Sequence, residues 1–293
     1  MRFGIVILPQ YDWPEAARRW RGAEEYGFDH AWTYDHIGWR DLVDGPWFDA
    51  VPTLTAAAMA TRRIRLGTYV ASPNFRHPVP FARSVSALDD ISQGRLLVGV
   101  GAGGTGYDTT VLGEPELRPG RRVDRLGEFL ELFSRLMTDD HVNHRGEFYT
   151  AVDARTLPGP VQRPRPPLLV AASGPRAIGL AAKHGDGWLT IGDTRVPDDA
   201  RWWLSVERLR DRFDDALAAA GREPGDVSRY LELDSAPTSP LSSADAFTDA
   251  AGRAAALGFT DVVVHWPRRS GWYAGSEKVL ETVAGRLPRL RGL

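Results

Sequence analysis

The chain has 293 residues, 43% hydrophobic and 25% charged, enough for a large core and long for one domain unless that domain is a barrel or a big sandwich. Its 36 basic and 38 acidic residues leave a net charge of -2, so no basic excess points to nucleic acid, and no acidic run suggests a tail. Cysteine is absent, which excludes disulfides, thiol nucleophiles and Cys-based zinc sites. The start, Met1-Arg2-Phe3-Gly4-Ile5, reads as a strand and not as a signal peptide. No apolar run approaches the roughly 20 residues of a membrane helix. The expectation is a soluble cytoplasmic protein with no membrane partner.

Short β-branched runs alternate with amphipathic segments. A strand over Phe3 to Leu8 precedes a helix from about Pro14 to Tyr26, with Asp12 as its cap and Ala16, Ala17, Trp20 and Ala23 on one face. Ala31 to Tyr34 is the second strand, Val51 to Thr61 a helix, and Ile64 to Val70 the third strand. A helix from Pro80 to Ile91 leads to a fourth strand, Leu96 to Val100. A Gly- and Pro-rich loop follows, Gly101 to Gly120. The helix from Asp124 to Met137 is the clearest in the chain, with Leu126, Phe129, Leu130, Phe133, Leu136 and Met137 at helical spacing.

Residues 139–167 are rich in Pro, Arg and turn formers and read as an insertion of short extended pieces. Strand and helix then alternate again: Leu168 to Ala172 and Arg176 to His184, Trp188 to Ile191 and Asp199 to Ala220, Tyr230 to Leu233 and Ala244 to Leu257, Asp261 to His265 and Lys278 to Leu287. Ser242 or Ser243 caps the helix that starts at Ala244. Eight such units fit a closed (β/α)8 barrel, a TIM barrel formed by a single domain over residues 1–293, better than an open doubly wound sheet.

Barrel chemistry sits at the C-terminal ends of the strands. After the second strand come Asp35 and His36. A histidine near neutrality can give or take a proton, and an adjacent carboxylate can orient its ring; alternatively Asp35 caps the turn and His36 is a solvated loop residue. After the third strand, Tyr69-Val70-Ala71-Ser72-Pro73-Asn74 offers small residues against which a flat ring could lie, or is a plain strand-to-loop transition. After the fourth, Gly101-Ala102-Gly103-Gly104-Thr105-Gly106 matches G-x-G-x-x-G. A dinucleotide fingerprint must open a helix, and Pro115, Pro119 and Gly120 intervene before the next one; a loop that brings backbone close to a ligand survives as a reading.

After the fifth strand, Ala172-Ser173-Gly174-Pro175-Arg176 runs directly into a helix. Pro175 suits the first helical position, and free backbone N–H groups at a helix start bind phosphate, helped by Arg176 and the Ser173 hydroxyl. An ordinary capped helix start uses the same residues. His141 and His144 lack further ligands nearby, so no metal is expected, and no G-x-S-x-G elbow is present. Of the ten tryptophans, most fill the core; Trp32, Trp39 and Trp47 fall in one short stretch.

Taken together, particular segments resemble the luciferase-like monooxygenase superfamily of flavin- and deazaflavin-dependent oxidoreductases. They are Ala23 to Asp29 with Asp35-His36, Arg63 to Thr68, Arg76-His77-Pro78, Leu88-Asp89 with Ser92 to Arg95, Gly99 to Gly103, Gly174-Pro175, and Gly185 to Trp188. The resemblance runs from Met1 to about Ile191, with a weaker match through the eighth strand. It implies a TIM barrel with an insertion. It also implies a cofactor ring at the end of the third strand, against Tyr69, Val70 and Ala71, with a non-proline cis peptide at Tyr69–Val70. It further implies a phosphate cradle over Ala172 to Ala177, contacts from Ala102, Gly103 and Gly104, and a homodimer.

Asp35-His36 and Gly174-Pro175 are similar to the branch that uses the deazaflavin F420, with FMN and a partner flavin reductase as the alternative. In that branch the expected function is a reductase moving hydride between F420 and a C=C, C=N or C=O bond of a small organic metabolite. His36 is then the proton donor, Asp35 holds the cofactor or the imidazole, and Trp39, Trp47, Asn74 and Trp188 wall the substrate. Sugar-phosphate dehydrogenases of the branch carry an acidic residue in the fourth-strand loop, where this chain has Gly104; that departure argues against such a substrate.

Overall fold

The computed structural model describes every residue except Thr105, which lies within the Gly-rich match of the fourth-strand loop. The first half holds strands β1 (Arg2–Val6), β2 (His30–Thr33), β3 (Arg65–Thr68) and β4 (Leu96–Gly101). Residues 142–154 form the strands β5 (Val142–Arg145) and β6 (Thr150–Ala154), and the second half holds β7 (Leu168–Ala171), β8 (Gly187–Thr190), β9 (Ser228–Glu232) and β10 (Asp261–His265). All but β5 and β6 pair in parallel, and β1 closes the ring by pairing with both β2 and β10, Val6 opposite Trp32 and His265. The expected (β/α)8 barrel is therefore the observed one.

The helices among the described residues are α1 (Trp13–Glu25), α2 (Ala50–Ala60), α3 (Pro78–Ile91), the single turn α4 (Tyr107–Thr110), α5 (Pro119–Thr138), α6 (Pro175–His184), α7 (Asp199–Ala219), α8 (Ala244–Ala256) and α9 (Glu277–Leu290). None is long and apolar enough to cross a membrane. Most boundaries move by three residues or fewer, while one helix start and one cap differ in kind from the sequence reading. Helix α5 begins at Pro119, five residues early, because Pro at the first position and a Gly in the first turn open a helix without showing the apolar period, which starts only at Leu126. Asp12 precedes α1 without a side-chain cap bond, whereas Ser243 does cap α8 through Ala246 N at 3.0 Å.

Strand side chains sort by parity into two apolar layers. Phe3, Ile5 and Ile7 face the helices, while Val6 and Leu8 face the barrel axis with Trp32, Tyr34, Tyr69, Leu97, Leu169, Leu189, Tyr230 and Val263. Helix α5 contributes Leu126, Phe129, Leu130, Phe133, Leu136 and Met137 to the outer layer. The insertion is the antiparallel hairpin of β5 and β6. Glu128 of α5 anchors it by accepting the backbone N–H groups of Glu147, Phe148 and Tyr149 at 2.8–3.0 Å, and a Cβ at Gly146 would lie 1.9 Å from its Oε1.

The N-terminal end of the barrel is sealed by Asp261. It accepts from Arg2 at 2.7 and 2.8 Å, from Thr260 Oγ1 at 2.6 Å, and pairs with His30 Nε2 at 2.9 Å. Trp32 Nε1 donates to the other nitrogen of His30 at 2.7 Å. Burial alone would raise the Asp261 carboxyl, but the His30 and Arg2 bonds hold it below its ordinary value.

Candidate functional site

The C-terminal mouth is built on Tyr34, the inward-facing residue just past β2. Its ring lies parallel to that of Tyr69, centroids 6.2 Å apart, and edge-on to Trp39 at 5.2 Å and His36 at 5.8 Å. The Tyr69–Val70 peptide is cis. Val70 packs where β4 carries Gly99 and Gly101: a Cβ on either would come within 3.0 Å of its methyl groups. Small residues on β4 therefore make room for the end of β3.

His36 is one-quarter exposed at this mouth, and its Nδ1 lies 2.6 Å from Asp108 Oδ2. The other oxygen of Asp108 accepts the backbone N–H of Ile37 at 2.7 Å. Asp108 is thus held by the backbone it serves, and it fixes Nδ1 as the proton-bearing nitrogen, leaving Nε2 for a ligand. Asp35 does not fill the expected role. It is buried and forms a two-bond pair with Arg76, at 2.5 and 3.0 Å, and Arg76 also reaches Asp49 at 3.0 Å. Burial pushes the Asp35 carboxyl up from its ordinary value against the pull of Arg76. Alternation along the chain explains the correction: Tyr34 and His36 face the mouth, and Asp35 turns away from it.

The fourth-strand loop does bring an acid to the site, four residues after Gly104. The sequence reading treated this loop as irregular, and α4, which sets Asp108 opposite His36, is too short for any periodic signal. Gly103 has φ +74, and a Cβ there would meet Ser72 Oγ at 2.4 Å. Gly104 is open, and its carbonyl accepts from Asn74 Nδ2 at 3.0 Å. Asn74 also accepts from Arg125 and borders a cavity of about 370 Å³ beside the mouth, with Arg122, Arg125 and Tyr149. Ala102 is half-buried against the helix layer. Ala71 is fully buried in that layer and its backbone is bonded to Gly99 and Gly101.

The start of α6 is exposed from Ser173 to Arg176, its N-cap Gly174 makes no side-chain cap bond, and a Cβ at Gly174 would meet nothing within 4 Å. Ala172 is tied into the barrel through Leu189 O and Trp188 Nε1, and the buried Ala177 methyl leaves only its backbone N–H for a ligand. Arg176 bonds Asp124 and the Gly120 carbonyl of α5, so its charge is already partnered.

Trp39 and Trp47 do line the mouth, and Trp47 Nε1 donates to the His36 carbonyl at 2.8 Å. Trp188 does not: it is fully buried between barrel and helices, stacked on Phe213 at 4.5 Å, because it stands on the outward parity of β8. Further residues, absent from the sequence expectations, reach the mouth from the ends of the last two barrel strands. Glu232 ends β9 and Asp234 follows it, His265 ends β10, and Tyr273 and Trp272 come from the loop after it. Applying the strand-end rule to all eight strands would have found the first three.

A family model described as luciferase-like monooxygenase matches residues 1–270. The chain belongs to this family. An F420-dependent glucose-6-phosphate dehydrogenase of Amycolatopsis mediterranei is 32% identical to it over 72% of this chain and 61% of that protein, and one of Kineococcus radiotolerans is 33% identical over 72% and 60%. The chain therefore spans about three-fifths of the length of those luciferase-like relatives. An uncharacterized protein of Mycobacterium tuberculosis is 32% identical over 92% of this chain and 93% of its own. Among solved structures, the F420-dependent tetrahydromethanopterin reductase of Methanopyrus kandleri superposes with TM-score 0.79 at 20% identity over 99% of both chains, a likeness of fold. A monooxygenase of Streptomyces bottropensis superposes with TM-score 0.80 at 25% identity over 99% of both chains.

Proposed function

We propose that this luciferase-like chain is an F420-dependent oxidoreductase that moves hydride between the deazaflavin and a C=C, C=N or C=O bond of an organic metabolite, with His36 handling the accompanying proton. The observation that carries the reading is the His36–Asp108 couple: an imidazole with a fixed tautomer, its free nitrogen open to a mouth walled by Trp39, Trp47 and Tyr34. The F420-dependent curated relatives support the choice of cofactor.

The residues present fit such a cofactor. Helix α6 offers an uncapped, exposed N-terminus where backbone N–H groups and Ser173 would hold the phosphate, with Gly174 letting it approach. Tyr69, Val70, Gly103 and Gly104 would hold the ring, the glycines leaving room for it. When bound, the deazaflavin supplies or accepts the hydride. Asp108 holds His36 so that Nε2 meets the substrate heteroatom and gives or takes the proton there. Trp39 and Trp47 exclude water and orient a flat substrate. Asp35 acts at one remove, by clamping Arg76 and fixing the turn that carries His36.

FMN with a partner reductase is the second reading, favoured by the superposition on the Streptomyces monooxygenase. A fluorescence titration with each cofactor separates the two. Micromolar binding of F420 is the expected result; tight binding of FMN without F420 would overturn the first reading. His36→Ala is expected to abolish turnover while sparing cofactor affinity, and unchanged turnover removes His36 from the mechanism.

A further inference from the structure

Tyr34 stands between two imidazoles, its ring centroid 5.8 Å from that of His36 and 5.6 Å from that of His265. The role proposed for His36 leaves His265 unexplained. His265 is 1% exposed, yet it is not a passive core residue. Asp234 Oδ2 accepts its backbone N–H at 2.5 Å and lies 3.0 Å from its Nδ1. Those contacts keep a proton on Nδ1 and aim Nε2 at the hydroxyl of Tyr34, 3.0 Å away. Tyr34 Oη is in turn 2.7 Å from Tyr273 Oη. Tyr273 lies flat on the His265 ring, 3.5 Å away at 2°, and is partly exposed beside Trp39. An unbroken chain of hydrogen bonds thus runs from a buried carboxylate to a hydroxyl at the mouth.

We propose that Asp234, His265, Tyr34 and Tyr273 form a proton relay whose outer end, Tyr273 Oη, delivers a proton to an oxygen or nitrogen of a ligand held in the mouth, on the side away from His36. The proposal rests on the mouth being the substrate site. The steps balance. The Tyr273 O–H bond breaks as the ligand gains its proton, Tyr34 passes its proton to Tyr273, and imidazolium His265 passes its Nε2 proton to Tyr34. His265 is left neutral with Nδ1–H still on Asp234, one positive charge has moved from His265 to the ligand, and a proton returning from solvent through Tyr273 and Tyr34 restores the starting state.

The surroundings select this direction. The charged and titratable groups facing the chain are Glu232 at the end of β9 and Asp234 just past it, Tyr69 after β3, His36 after β2, and Arg40 beside Tyr273. Burial holds the phenols of Tyr34, Tyr69 and Tyr273 above their ordinary range, and the Glu232 carboxylate adds to it. A phenolate at any link is therefore costly, so the links pass a proton along and do not hold a negative charge.

Two measurements test it. In the protein without cofactor or substrate, nitrogen NMR follows the His265 ring across pH in wild type, Tyr34→Phe and Tyr273→Phe. Tyr34→Phe is expected to shift the His265 midpoint by about half a unit or more, and Tyr273→Phe, which removes only the next link, by a smaller measurable amount. A midpoint untouched by both variants overturns the relay. This arm needs no hydride chemistry, so it stands apart from the proposed activity. In the loaded enzyme, Tyr273→Phe is expected to lower kcat by about tenfold or more at unchanged KM and to alter the solvent isotope effect. Wild-type kcat with an unchanged isotope effect also overturns the relay, and because Tyr273 is partly exposed, its variant stays informative if Tyr34→Phe misfolds.

Discussion

Asp108→Asn puts the His36 assignment at risk with little cost to the fold. The asparagine keeps the shape of the side chain, and its carbonyl oxygen can still accept the Ile37 N–H, now at 2.7 Å. What it removes is the carboxylate 2.6 Å from His36 Nδ1. The amide nitrogen then faces Nδ1 as a donor, so the imidazole must turn its proton to Nε2 and can no longer accept there. A hydrogen bond to a charged partner is worth about 1.5–3 kcal/mol. One-quarter exposure of the imidazole places this one in the lower half of that range, about 2 kcal/mol, or roughly thirtyfold in rate. The assay is steady-state oxidation of reduced cofactor across a panel of ketones, enones and imines, with cofactor affinity measured in parallel. Turnover is expected to fall about thirtyfold with affinity within about twofold of wild type. Full turnover, or a loss of cofactor binding that accounts for the whole effect, would refute the role given to Asp108.

Three further outcomes follow from the geometry. Trp188→Phe is expected to leave the Ala172 carbonyl unpaired and lower stability by about 1–3 kcal/mol in denaturant unfolding with substrate KM unchanged, since Trp188 packs behind the barrel wall; a KM effect without destabilisation contradicts that placement. Gly99→Ala would set a Cβ 2.2 Å from the Thr68 carbonyl and is expected to cost about 1–3 kcal/mol, while Gly104→Ala, with nothing within 4 Å, should change stability by less than about 0.5 kcal/mol. The Asp261 carboxyl has a folded value below its ordinary 3.8, so the stability it contributes is present above the unfolded value and is lost as pH falls through the folded one. Asp261→Asn is expected to lose about 3 kcal/mol near neutrality and to show less additional acid destabilisation below pH ~4 than wild type, read from thermal midpoints across pH.

The barrel was legible because each strand is a short run buried on both faces, each followed by a helix with its own apolar stripe. What the runs do not state is parity. Asp35 and His36 are neighbours, and nothing in the sequence says which of them faces the axis; the inward set of β2 and its extension, Trp32, Tyr34 and His36, becomes visible only when Trp32 meets Tyr69 and Tyr230 across the barrel. Trp188 failed for the same reason. Asp108 was hidden differently: its partner lies 72 residues away, and the single turn that positions it has no period to read. The Gly174-Pro175 start of α6 was legible since its chemistry is local, a proline at the first helical position with no cap bond to silence the amides.

The two ends of the barrel show how one inventory of side chains serves opposite ends. At the N-terminal rim, Asp261 is saturated by Arg2, His30 and Thr260, and His30 has both ring nitrogens engaged, by Asp261 and Trp32. No donor or acceptor of that histidine remains for a ligand, so its network can only hold the strands in register. At the C-terminal rim the same pairing of a carboxylate with an imidazole recurs twice, and each time it stops one bond short. His36 is fixed by Asp108 at Nδ1 alone, and the His265 chain ends on a hydroxyl that faces the mouth. Tyr69 Oη beside them is buried and, among the described residues, makes no hydrogen bond of ordinary geometry, with the Glu232 carboxylate near it. A buried polar group left open costs stability that a folded chain normally avoids. The carboxylate–imidazole pairing is closed at one rim and open at the other, which supports placing the proposed site at the C-terminal rim.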